Sequence, residues 1–466
     1  EEEMAPQELV DKGHGKNEPR GIRRVARSSL HEGRFGRLFR RLPPAPALSD
    51  KELRDLAESM REKKGAKQLD NPKIPAGYTY FGQFVDHDIT FDPVSSLQRQ
   101  NDPDALVDFR TPRFDLDCVY GSGPDDQPYL YDQPGRLKLL IDPKNSKGEP
   151  DLQRNAQGVA LIGDPRNDEN IIVSQLQLVF LRFHNKVAAK VAADKSIPRE
   201  RAFEETQKLV RWHYQWVILE DFLPRIAGKA AVDDRVERKK DGIRIKLRWF
   251  HPKVNPFMPV EFSVAAYRFG HSQIRPVYDL NQVVRNVPIF IPGEKVGELD
   301  DLRGFRPLPG AWTVDWSFYL DGAPGQAKKP QPSRKIDARL AAGLFDLPGF
   351  RQVESSLAFR NLKRGQALGL PSGQDVARRM GLKPLSGKKL GAPEPTPLWF
   401  YVLKESGREG GRQLGPVGGQ IVAEVLLGLL QGDNHSFVNQ RPDWRPTLGP
   451  KAGKFTLGDL VRFALS

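Results

Sequence analysis

The stretch Phe81-Gly-Gln-Phe-Val-Asp-His-Asp-Ile-Thr-Phe-Asp-Pro93 sets Asp86, His87 and Asp88 side by side, with Gln83 four residues before the histidine. Wound as a helix, it brings Gln83 and His87 onto one face, where both can enter one cavity. Asp86 and Asp88 leave that face in other directions. A neutral imidazole beside a carboxamide is a proton shuttle with a hydrogen-bonding neighbour. A carboxylate just beyond it suits a hard cation. A surface helix with a charged end would read the same way, so the rest of the chain decides.

Working outward, Ser49 to Lys63 has the composition of a short helix capped by Ser49 or Asp50. Asn71 to Gly77 reads as a turn-rich entry to the central segment, and Val94 to Pro150 as loop. From Glu169 the pattern changes. Ile172, Leu176, Val179, Phe180, Phe183 and Val187 recur at helical spacing, which predicts a long core-facing helix. Thr206 to Phe222 predicts a second, stopped by Pro224, and Asp233 to Lys246 reads as charged and irregular. Pro259 to Phe269 predicts a further buried helix with Glu261 in its first turn, and Pro416 to Leu430 the last. Val277 to Phe345 is rich in Pro and Gly, and Leu382 to Pro397 reads as a surface excursion. The expected fold is mainly α: one large helical domain over residues 21–466, with long irregular loops, little β structure and a mobile segment at 1–20.

Composition narrows the classes. The 466 residues are 38% hydrophobic and 28% charged, which suits a globular chain with a sizeable core. No apolar run reaches the roughly 18 residues of a membrane span. The single cysteine, Cys118, excludes intrachain disulfides and multi-cysteine metal sites. No signal peptide is visible in the acidic Glu1-Glu-Glu-Met4 start, which points to the cytoplasm, although a secreted fold without staples fits as well. The net charge of +13 favours acidic partners, and Arg20 to Arg41 is its densest cluster. Without an aromatic-interleaved stripe or a nucleic-acid module, no nucleic-acid binding is expected. The phosphate-binding loops, zinc-protease helix and nucleophile elbow are absent.

Four further segments give the first its meaning. Arg110-Thr-Pro-Arg-Phe-Asp-Leu-Asp117 offers oxygens from Thr111, Asp115 and Asp117 along an extended loop, which Asp88 can join around one cation. Gly163-Asp-Pro-Arg-Asn-Asp-Glu169 sets Arg166 and Glu169 three apart before the long helix. Tyr267-Arg-Phe-Gly-His-Ser-Gln-Ile274 carries His271, with Arg268 one turn earlier. Phe359-Arg-Asn-Leu-Lys-Arg-Gly-Gln-Ala-Leu-Gly-Leu-Pro371 carries Asn361 and Arg364. Singly, these are a core histidine, a helix cap and a turn asparagine.

Together and in this order, the five segments resemble the animal-type haem peroxidases of the peroxidase–cyclooxygenase superfamily, typified by myeloperoxidase, lactoperoxidase and peroxinectin. The resemblance is closer still to bacterial members, whose Arg-Asn-Leu-x-Arg-Gly-x-x-Leu-Gly-Leu-Pro segment is similar to residues 360–371. It runs from about Arg34 to about Leu430. It implies a haem peroxidase that reduces hydrogen peroxide and oxidises halides, thiocyanate or small phenols. Under it, His87 is the distal acid–base, Arg166 the distal cation and Gln83 a hydrogen-bonding neighbour over the iron. His271 is the proximal iron ligand and Asn361 its partner, while Arg268 and Arg364 pair with the haem propionates. Asp86 and Glu169 stand where the family forms ester bonds to haem b. Asp88, Thr111, Asp115, Asp117 and the Arg113 carbonyl match a calcium site that steadies His87. Asn170 stands where myeloperoxidase carries a methionine bonded to haem, so chloride oxidation is expected to be weak. Arg268 stands where the fatty-acid oxygenases of the superfamily carry a radical tyrosine, and Tyr267 would point elsewhere on an α-helix. A lipid oxygenase and a non-catalytic adhesion module are the alternatives, and a monomer is expected.

Overall fold

The Ser49 side chain accepts from the Glu52 backbone N–H, and Glu52 returns a bond to the Ser49 N–H at 2.8 Å, the reciprocal cap that starts α1 (Asp50–Glu58). The computed structural model describes residues 33–90, 107–108, 112–252, 257–292, 297–347 and 355–466. The segment at 1–20 and most of the basic cluster at 20–41 lie outside these residues.

Helix α2 (Gly77–Ile89) carries the central motif and is buried along most of its length. It starts hard against another loop. A Cβ at Gly77 would lie 2.7 Å from the Tyr319 carbonyl oxygen, so only glycine fits. After the four-residue α3 (Asp117–Tyr120) comes α4 (Ile171–Ala193), the long apolar helix the spacing predicts. Asn170 caps α4, its side-chain oxygen accepting from the Ile172 N–H at 2.9 Å. Helices α2 and α4 meet through stacked Phe84 and Phe180 rings, centroids 4.3 Å apart. That aromatic contact fixes the height of α2 over the core.

The next helical stretch differs from the sequence reading. Helix α5 (Ala202–Val217) passes through a π-turn, Ile218–Phe222, straight into α6 (Leu223–Ala227), which contains Pro224. Proline is tolerated in the first turn of a helix, so Pro224 opens α6 instead of stopping α5. The stop comes at Gly228, whose φ of 86° leaves the helical region. The expected buried helix at 259–269 also takes another form. A π-turn at Glu261–Ala265 leads into a 3-10 helix at Ala266–Gln273. Glu261 is fully buried there, and its carboxylate accepts from the Leu38 and Phe39 N–H groups at 2.9 and 3.1 Å.

Helices α7 (Leu357–Ala367), α8 (Leu398–Arg408), α9 (Pro416–Gly432) and α10 (Leu457–Leu465) complete the helical set that frames the core. Helix α8 packs against both the 3-10 helix and α7, which together carry the proximal residues. Strands are few and short. Two of them overturn sequence expectations: Asp70–Pro75 pairs antiparallel with Pro332–Arg334, and Val236–Lys239 forms a hairpin with Gly242–Ile245. A third small sheet sets Gly33–Gly36 between Val107–Asp108 and Met258–Pro259.

Among the described residues, buried apolar side chains from Leu38 to Ala464 form one continuous cluster. Within it the fully buried Arg235 and Glu424 pair at 2.7 Å, and Glu424 also accepts from the Trp249 and Phe250 N–H groups. Such saturation is what allows a charge pair in a core. No described helix is long and apolar enough to cross a membrane.

Candidate active site

A cavity opens between α2 and the 3-10 helix. Gln83, Asp86 and His87 line it from α2, joined by Glu169 and Asn170 at the entry to α4. Tyr267, Arg268 and His271 line it from the 3-10 helix. The i, i+4 spacing of Gln83 and His87 therefore does bring both to one cavity. Arg268 and His271 share the facing wall because they stand one turn apart on a helix of three residues per turn. Tyr267 lines the cavity too, and its hydroxyl donates to the Gly82 carbonyl at 3.2 Å. The expectation that Tyr267 points elsewhere therefore fails, because residues 267–271 all border the cavity.

His87 is buried, with Nδ1 2.7 Å from Asn167 Oδ1 and Nε2 3.8 Å from Glu169 Oε1. Burial, reinforced by the Arg166 guanidinium, holds its pKa down to about 4, so the ring is a neutral base at neutral pH. Burial also raises the Glu169 carboxyl to about 7, against the opposing pull of Arg166. Gln83 donates through Nε2 to Glu169 Oε1. Opposite, burial and then Arg268 push the His271 imidazole down to about 3. Its Nδ1 lies 2.8 Å from the amide of Asn361 on α7, which is placed with Nδ2 toward the ring and whose Nδ2 and Oδ1 can exchange places by a half-turn of the side chain. With Oδ1 turned to the ring, that carboxamide accepts the Nδ1 proton and leaves Nε2 for a metal. Arg364, one turn further along α7, is driven down to about 10 by burial.

Arg166 does not line the cavity. Its Nη2 donates to the His87 and Thr90 carbonyls at 3.0 and 2.5 Å and to Asp164 Oδ2 at 2.8 Å. It therefore ties the end of α2 to the 3-10 turn Pro165–Asp168. That turn is fixed from two more sides. Arg154 forks onto Asp168 with bonds of 2.6 and 2.7 Å, and the backbone at Gly304 and Phe305 donates to the Glu169 and Asp168 carbonyls. A Cβ at Gly304 would fall 1.8 Å from the Asp168 oxygen, so this contact needs glycine.

Three buried polar atoms of cavity residues, Thr79 Oγ1, Asn170 Nδ2 and Gln273 Nε2, have no hydrogen-bond partner among the described residues. Apolar Ile274, Ile289, Phe290 and Leu344 close the far side. A large cavity with unsatisfied polar atoms, a neutral imidazole from each side and nearby guanidinium groups fits a flat, dianionic, iron-bearing macrocycle. The residues present fit haem.

The expected calcium residues are less complete. Thr111 lies outside the described residues, and the Arg113 carbonyl has no described contact. Asp88 is fully buried, its Oδ1 3.7 Å from the Cys118 sulfur of α3. Leu116 takes a left-handed φ of 58° and Asp117 begins α3, so Asp115 and Asp117 do not alternate along an extended loop. Among the described residues, no three His, Cys, Asp or Glu side chains form a metal-binding group.

Residues 95–389 match the family described as animal haem peroxidase, and the chain belongs to that family. A peroxidasin homolog of Caenorhabditis elegans is 26% identical over 308 residues, 60% of this chain and 21% of the relative. Chorion peroxidase of Drosophila melanogaster is 26% identical over 348 residues, 69% of this chain and 41% of the relative. Thyroid peroxidase of Sus scrofa is 26% identical over 307 residues, 60% of this chain and 31% of the relative. The chain thus spans well under half the length of these relatives. Peroxidase A from Dictyostelium discoideum superposes with a TM-score of 0.66 at 16% identity, covering 93% of each chain. A fatty acid alpha-dioxygenase of Oryza sativa superposes at 0.57 and 17% identity, covering 90% of this chain and 78% of that one. At such identities the likeness is one of fold.

Proposed function

We propose that this chain is a haem-dependent peroxidase of one domain over residues 21–466, acting on hydrogen peroxide and on halides, thiocyanate or small phenols. The observation that carries the reading is the pair of neutral imidazoles, His87 and His271, reaching one cavity from two elements. Haem, when bound, supplies the redox centre that breaks the O–O bond. His271 Nε2 holds the iron, and Asn361 sets that imidazole's tautomer and basicity. Arg268 and Arg364 bind the propionates. His87 Nε2 takes a proton from the inner peroxide oxygen and returns it to the outer one. Gln83 orients water or halide beside it, and Arg166 adds a fixed positive charge behind His87. Calcium, when bound, would be held by Asp88, Thr111, Asp115, Asp117 and the Arg113 carbonyl, and would steady the end of α2 without a part in proton or electron transfer. A Soret band in the purified protein that shifts on peroxide addition is the expected result. A haem-free chain after expression with excess haem precursor would overturn the reading.

Two predictions belong here. Asp86 and Glu169 both line the cavity, where each would form an ester link to the haem rim. After limited peroxide treatment, acidified organic solvent should leave most haem on the protein, and Asp86→Ala, Glu169→Ala should release it. Free haem with unmodified peptides by mass spectrometry would remove the links. The second prediction concerns halide range. Asn170 follows Glu169 and has no sulfur for a third link, so the haem potential is left lower. Iodide, thiocyanate and bromide should be oxidised efficiently, and chloride slowly at neutral pH. Equal halogenation rates with bromide and chloride would refute this.

One observation favours a second reading. Tyr267 and the apolar far side of the cavity suit a lipid chain beside an oxidisable phenol. Oxygen uptake on adding a long-chain fatty acid, lost in Tyr267→Phe, would select lipid oxygenation instead.

A further inference from the structure

We infer that Asn167 and Gln177 are positioning residues that form, with the Cys118 carbonyl, a one-way hydrogen-bond chain fixing His87 in its Nδ1–H form, with bare Nε2 turned to the cavity. This rests on the peroxidase reading for its consequence and on hydrogen-bond directions alone for its content.

The direction is settled at the backbone end. Gln177 Nε2 lies 3.0 Å from the Cys118 carbonyl oxygen. A carbonyl oxygen only accepts, so the glutamine end facing it must be the amide nitrogen. That orientation leaves Gln177 Oε1 to accept from Asn167 Nδ2 at 2.8 Å. Asn167 then has one atom left for the histidine, Oδ1, at 2.7 Å from His87 Nδ1. Since Oδ1 only accepts as well, the ring proton sits on Nδ1. The other tautomer would set two lone pairs against each other in a site closed to water. Gln177, Asn167 and Cys118 are all fully buried, and His87 is 5% exposed. No solvent is at hand to rescue a turned carboxamide.

The fold explains why these groups meet. Cys118 sits in a helix of four residues, too short to satisfy its own carbonyls. The segment leading to Asn167 passes directly over it. A Cβ at Gly163 would stand 2.8 Å from the Cys118 oxygen, so glycine is needed for that approach. Asn167 lies in the 3-10 turn held by Arg154 and Arg166, and Gln177 lies two turns into α4. Three elements thus converge to set one proton on one ring. A base that must accept from a bound ligand needs Nε2 bare before the ligand arrives, and the chain supplies that state in advance.

The test uses the full chain loaded with haem. In Asn167→Leu the acceptor is gone, and the rapid reaction with peroxide should slow by about 10–100-fold, the usual range for an outer partner of an active-site histidine. Cyanide binding to the ferric form should slow by the same factor, because hydrogen cyanide also gives its proton to the distal base. Carbon monoxide binding to the ferrous form needs no proton transfer and should not change. Asn167→Asp, which keeps an acceptor at Nδ1, should recover most of both proton-dependent rates. Gln177→Leu should fall between wild type and Asn167→Leu. A joint loss of all three rates would mark a merely structural role, and unchanged peroxide and cyanide rates would also overturn the inference. Neutron diffraction on the wild-type protein gives a reading free of activity: a deuteron on His87 Nδ1 supports the chain of bonds, and one on Nε2 overturns it. A protein with that Nδ1 deuteron but no peroxide reaction would keep the tautomer and lose the peroxidase reading.

Discussion

His271→Ala is expected to leave the protein largely free of haem. Under the proposed function the side chain is the iron ligand; it stands on the 3-10 helix Ala266–Gln273, with Nδ1 2.8 Å from the Asn361 amide. Burial holds its pKa down to about 3, well below the usual imidazole range, so its lone pair is available at neutral pH. Loss of that ligand removes the strongest bond to the cofactor. It would also stop the proposed ester formation at Asp86 and Glu169, which needs peroxide to react at a correctly ligated iron. Covalent retention therefore cannot mask the loss. Asn361→Leu isolates the outer contribution: haem remains, with affinity lower by about 10–100-fold. Haem per protein, read from the Soret absorbance of desalted samples, separates the two variants. Full loading of His271→Ala with an unchanged spectrum would place the iron ligand elsewhere.

The parts of the site that sequence makes visible are those carried on single helices. Gln83, Asp86 and His87 sit on one 13-residue helix, and their spacing alone places Gln83 and His87 on a shared face. Asn361 and Arg364 are three apart on α7 in the same way. Tyr267 is harder to place, because the chain changes from a π-turn to a 3-10 helix just before it and the whole stretch borders the cavity. Nothing local announces that change, since a π-turn just before it resets the phase. Asn167 lies inside a motif already singled out, but its role depends on Gln177 and on the carbonyl of Cys118, 49 positions before it. Only the tertiary approach of Gly163 to α3 creates that link. The missed strand Asp70–Pro75 holds two prolines, which argue against a strand except at an edge, and it is indeed one of only two in its sheet. The hairpin around Asp241-Gly242 did carry a turn signal, but the charges on both sides hid the alternation of Val236, Ile243 and Ile245. The mainly helical class was legible because α4 and α9 are long and apolar; the loops that close the cavity were not, because their positions depend on contacts far apart in sequence.

His87→Ala should keep haem and lose most peroxide cleavage, by about 10²–10⁴-fold, the range general acid–base catalysis contributes. The spectrum at rest should change little, because His271, the proposed iron ligand, lies on the other wall of the cavity. The pH dependence adds a sharper mark. An unperturbed imidazole is half protonated near pH 6.5 and would lose base function through that range. Burial lowers the His87 value to about 4, which means the neutral base persists above pH 4 and is lost as pH falls through it. The second-order rate with peroxide in wild type should therefore stay level from pH 7 down through 6.5 and turn down only near 4. In His87→Ala that downturn should vanish along with the rate. Rapid mixing with peroxide across this range, under single-turnover conditions, measures both effects at once. A wild-type downturn centred near 6.5 would mean that water reaches the ring when haem is bound, and a normal rate in His87→Ala would pass the proton transfer to another group. Glu169 Oε1 lies 3.8 Å from His87 Nε2, so adding Glu169→Gln to His87→Ala, in protein not yet exposed to peroxide and so still free of any ester at Glu169, tests that substitute.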